Sequence, residues 1–122
     1  MSTRTIPRLA ALAGVLAVAA VLAVPAFAHA PVLGTSPKKN ATVSTVRTVS
    51  VRFGEAVITG LITVKRATGA PVKAKVSGLA PGKKRLRATF ARKLAAGKYT
   101  VSWRVKAPDG DTQTGTFGFT VR

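Results

Sequence analysis

From residue 46 to the C-terminus, apolar and polar side chains alternate with a period of two, as half-buried strands require. Val49, Val51 and Phe53 share one phase of residues 46–53, with Ser50 and Arg52 on the other. The same alternation turns Ile62 and Val64 inward in residues 61–66, and Val72, Ala74 and Val76 in residues 71–77. It sets Leu86, Ala88 and Phe90 inward in residues 84–91, and Tyr99, Val101, Trp103 and Val105 in residues 99–106. Residues 113–122 end the series with Phe117, Phe119 and Val121 inward, and residues 31–35 predict a short edge strand. Turn-forming stretches separate these runs: Pro37 to Asn40, Thr68-Gly69, Ala80 to Gly82, Ala95 to Gly97 and Pro108 to Gly110. Seven short strands at this spacing predict an all-β fold, a β-sandwich or Greek-key barrel. Residues 91–96 predict one helical turn before Gly97.

The first 28 residues follow a different pattern. Arg4 and Arg8 precede an uninterrupted run of Ala, Leu, Val and Gly from Leu9 to Val24, which Pro25 ends. The run is shorter than the ~20 residues a membrane-spanning helix needs. Ala26-Phe27-Ala28 is a small-residue signal-peptidase site. The expectation is an export signal removed after Ala28, and one domain over residues 29–122. Its expected location is the periplasm, the cell envelope or the extracellular space. That domain has no cysteine, and the chain's one methionine is Met1. A copper(I) site built on soft sulfur ligands is therefore excluded.

Charge narrows the partners. The chain has 20 Lys and Arg against 3 Asp and Glu, a formal net charge of +17. Without Arg4 and Arg8 the domain still carries +15. Such an excess attracts polyanions and favours a monomer through self-repulsion. Lys73, Lys75, Arg85, Arg87, Arg104 and Lys106 all fall on the outward phase. They read either as a solvated face that blocks edge pairing or as a polyanion surface. The aromatic residues fall on the inward phase instead, which argues against a base-stacking nucleic-acid platform.

Four residues carry candidate chemistry. His29 is the only histidine and follows the cleavage site. As the first residue it would offer an α-amine and a ring nitrogen to one metal ion, a donor pair suited to copper(II). Glu55, Asp109 and Asp111 are the only carboxylates. Asp109 and Asp111 flank Gly110, so a bent loop could turn both toward one ion. The same three residues also fit an ordinary Asp-Gly turn.

Several motifs in order resemble the CopC copper-resistance family. They are His29-Ala30, Ser36-Pro37, Ala41-Thr42, Phe53-Gly54-Glu55-Ala56-Val57, Gly97 to Val101, Trp103-Arg104-Val105, Asp109-Gly110-Asp111 and Gly115 to Val121. The resemblance runs from His29 to Arg122. It implies a small Ig-like β-barrel that holds copper(II) at one end, with a CopD-type membrane copper protein as partner. It carries the ligand roles onto His29, Asp109 and Glu55. Where the family has His after Asp-Gly, this chain has Asp111. The expected ligand set is then His29 with Asp109, Asp111 and Glu55, one imidazole fewer and one carboxylate more.

An enzyme is not expected. A lone histidine at a chain end, with no cysteine, gives no nucleophile–base pair supported by spacing. The alternative function is a polycationic module for anionic lipid or wall polymer, in which the metal site has decayed. It would use Lys83, Lys84, Arg85, Arg87, Arg92 and Lys93.

Overall fold

The period-two stretches fold into two packed sheets in the computed structural model, which describes residues 29–122. The expected leader and its cleavage site up to Ala28 lie outside the described residues. The strands are β1 (Val32–Ser36), β2 (Thr42–Val43), β3 (Thr48–Phe53), β4 (Thr59–Arg66), β5 (Pro71–Val72), β6 (Val76–Leu79), β7 (Arg85–Thr89), β8 (Gly97–Lys106) and β9 (Thr112–Val121). One sheet has the order β1-β3-β7-β6 and the other β2-β9-β8-β4-β5. All pairings are antiparallel except β2 with β9.

Alternation decides which residues meet between the sheets. Val49, Val51, Phe53, Leu86 and Ala88 come from the four-stranded sheet. Ile62, Val64, Tyr99, Val101, Trp103, Val105, Phe117, Phe119 and Val121 come from the five-stranded one. Each large apolar side chain fully buried here stabilises the fold by about 1.5–3 kcal/mol. Among the described residues no polar or charged side chain is buried. Among the described residues, side chains from Ala30 to Val121 close one continuous buried core.

Two aromatic contacts tie the long strands. Trp103 packs edge-on against Phe53, ring centroids 5.4 Å apart, and so links the sheets. Its indole also covers Gly115, its cross-strand partner, where a Cβ would collide with the ring. Tyr99 stacks on Phe119, and its hydroxyl donates to the Ala95 carbonyl at 2.5 Å.

Three expectations need correction. Residues 71–77 are not one strand. They pair at both ends but with different sheets, β5 with β4 and β6 with β7, so the chain crosses between sheets at Lys73 to Lys75. Val76, expected inward, is 52 % exposed, because it lies on the edge strand just after that crossover. Residues 91–96 form bends rather than a helical turn. There the Leu94 N–H donates to the Val46 carbonyl, and Ala95 O accepts from Tyr99. Those tertiary bonds replace the local ones a helical turn would make. β2 was not anticipated; two residues are too short for a periodic signal.

Candidate metal centre

The β8–β9 connection builds one side of the site. Gly110 N–H donates to the Ala107 carbonyl, and Ala107 N–H to the Asp111 carbonyl, which closes a tight loop on fully buried Ala107. Gly110 has φ +90°, a conformation that glycine adopts without steric cost. Asp109 Oδ1 accepts from the Asp111 N–H at 3.0 Å. That bond fixes the carboxylate and leaves Oδ2 available.

The other side is the residue expected to begin the domain. His29 is exposed, while Ala30 is fully buried. Gln113, in β9, grips Ala30 twice. Ala30 N–H donates to Gln113 Oε1 at 2.9 Å, and Gln113 Nε2 donates to the Ala30 carbonyl at 2.7 Å. One side chain thereby satisfies both backbone groups of a buried residue, each costly to leave unpaired. A second tether follows: Gly54 N–H donates to the Pro31 carbonyl at 2.8 Å.

These anchors bring His29 to the loop. His29 Nδ1 lies 3.9 Å from Asp109 Oδ2. That is too long for a hydrogen bond. It suits two ligands on one ion, since donors about 2 Å from a first-row metal lie at most about 4 Å apart. His29, Asp109 and Asp111 each offer an atom, all within 4.8 Å of one another. Glu55 is outside this group. It stands in the bend after β3, next to Gly54, whose N–H holds Pro31.

The electrostatic setting sharpens the observation. Among the described residues no lysine or arginine lies within ion-pair distance of a side-chain carboxylate. Two of the chain's three acids instead converge on its only histidine. In so basic a domain, the one ion-pair contact among the described residues joins His29 and Asp109 themselves.

The sequence reading missed Gln113. Its signal was present: Gln113 stands opposite Val105 on the inward phase of β9, where an apolar residue belongs. A polar side chain there needs a buried partner, and that partner lies 83 residues earlier.

The CopC domain family matches residues 32–122. The chain belongs to the CopC family. The crystal structure of CopC from Methylosinus trichosporium OB3b is 30 % identical to it, with a TM-score of 0.64 over 76 % of this chain and 93 % of that one. The crystal structure of PcoC, a methionine-rich copper resistance protein from Escherichia coli, is 24 % identical, with a TM-score of 0.69 over 78 % of this chain and all of that one. This second likeness bears on the fold. No curated protein sequence matches the chain significantly. In contrast to methionine-rich PcoC, this CopC domain has no methionine after Met1.

Proposed function

We propose that this protein is exported, is cleaved after Ala28, and binds copper(II) through His29, Asp109 and Asp111 as part of copper resistance or homeostasis. One observation carries the reading: a lone histidine and two of three carboxylates gather within 4.8 Å in a chain of net charge +17. Family membership supports the choice of ion, and copper(II) is the first-row divalent ion that nitrogen and oxygen donors favour most.

Each residue has a distinct part. His29 supplies the ring nitrogen and, once cleavage frees it, the α-amine. Asp109 and Asp111 supply negative charge to hold a dication within a basic domain. Gln113 fixes the backbone behind His29 and limits where the imidazole can go. Glu55 is a further oxygen donor from the neighbouring bend, outside the gathered three. We place a CopD-type membrane copper protein as the exchange partner, and self-repulsion favours a monomer.

The test is a copper(II) titration of the chain beginning at His29, followed by electron paramagnetic resonance. The same domain with one extra residue ahead of His29 runs in parallel. The expected result is one tight site with nitrogen coupling, weakened strongly by the added residue. Equal binding by both forms would remove the amine from the site. Absence of copper binding in the cleaved form would overturn the proposal.

A further inference from the structure

On the outer face of the β1-β3-β7-β6 sheet, four cations surround a groove of about 480 Å³. Lys38 and Lys39 come from the turn after β1, Arg52 from β3 and Arg85 from β7. Gly34 belongs to its lining, and the Arg52 guanidinium Nη2 lies over it, 3.9 Å from where a Cβ would stand, an ordinary van der Waals distance. No carboxylate lines the groove.

Arg52 and Arg85 are direct cross-strand partners. Like charges in that relation destabilise a sheet. Among the described residues neither has an acidic partner to relieve it. An anion seated between them would. Beside the cations, Leu33 lines the groove and is 57 % exposed. A soluble polyanion gains nothing from that apolar side chain, whereas a bilayer interface takes up apolar and basic groups together.

We propose that this groove binds the phosphate of anionic lipid headgroups and docks the four-stranded sheet onto a negatively charged bilayer, with Leu33 entering the interface. Copper takes no part in this contact, so it stands or falls independently of the metal site.

The experiment is sedimentation of the domain beginning at His29 with vesicles, in chelator and at physiological salt. Vesicles of phosphatidylglycerol with phosphatidylcholine are compared with phosphatidylcholine alone. Retention is expected on the anionic vesicles only. R52Q/R85Q is expected to weaken it by about tenfold or more, at roughly one favourable contact per basic residue near the surface. K65Q/K98Q removes the same charge from the other sheet and is expected to cost about twofold or less through the general field. Thermal melting of R52Q/R85Q should be no lower than that of the parent, since a repulsive pair is lost. L33S should weaken vesicle retention several-fold while leaving soluble glycerol phosphate binding unchanged. Equal losses in the two double variants, or no retention at physiological salt, would overturn the proposal. So would full retention by L33S with glycerol phosphate binding as tight as vesicle binding, which would make the groove a soluble-anion site.

Discussion

The proposed metal end and the basic face are made from opposite resources. At the proposed metal end, scarce groups are concentrated: the only histidine and two of three acids lie together. The backbone behind them is held by Gln113 and by the closed Asp109–Asp111 loop. On the basic face, abundant groups are left unpaired, with Arg52 directly opposite Arg85. Coordination acts over about 2 Å and needs position, whereas a charged surface acts over about a Debye length, ~8 Å at physiological salt, and needs only number and sign. A small rigid domain can therefore carry both without one disturbing the other.

The comparison breaks most decisively at His29. His29→Ala is expected to weaken copper(II) binding by about a hundredfold or more, since it removes the one imidazole donor. Calorimetric titration checks this, and vesicle retention should not change. If the basic face weakened as well, the two regions would not be independent.

Gln113→Leu ranks next. It leaves the Ala30 N–H and carbonyl without their partner, a cost of about 1–3 kcal/mol for each group that stays buried and unpaired. The relief is local release of the front segment, so copper affinity should fall about ten- to a hundredfold, the usual range for groups that orient a ligand. Hydrogen exchange at Ala30 should rise while exchange in β8 stays slow. Unchanged exchange and affinity would show that the clamp does not position His29.

Asp109→Asn keeps an oxygen to accept from the Asp111 N–H but removes the charge. Copper affinity is expected to fall about tenfold with the loop intact, within the range quoted for tuning a metal site. Titration together with amide exchange at Asp111 separates charge from loop geometry. Glu55→Gln should have the smallest effect, about threefold or less, because its carboxylate is outside the gathered group. A loss as large as that of Asp109→Asn would bring Glu55 into direct coordination.

Much of this architecture could be read along the chain. Alternation in residues 46–53, 84–91, 99–106 and 113–122 marked the residues that now fill the core, from Val49 to Val121. It failed at residues 71–77, where the pattern continues in phase while the chain changes sheets. Period-two alternation reports which way a side chain turns, not which sheet it turns from. It also gave no hint of β2, whose pairing with β9 is set by the strand it lies against.

For the site, the sequence by itself determined the donor types: one histidine, three carboxylates, no sulfur beyond Met1, and a glycine between Asp109 and Asp111. Scarcity alone restricted the possible chemistry, because a chain with so few candidates has few ways to hold a metal. Only the tertiary structure decided that His29 meets Asp109 and Asp111 while Glu55 stands apart, and that Arg52 faces Arg85. Those outcomes depend on strand pairing and on a partly buried hydrogen bond between residues 83 positions apart. Local patterning carries no information about such distances, because they are set by how the two sheets close over one core.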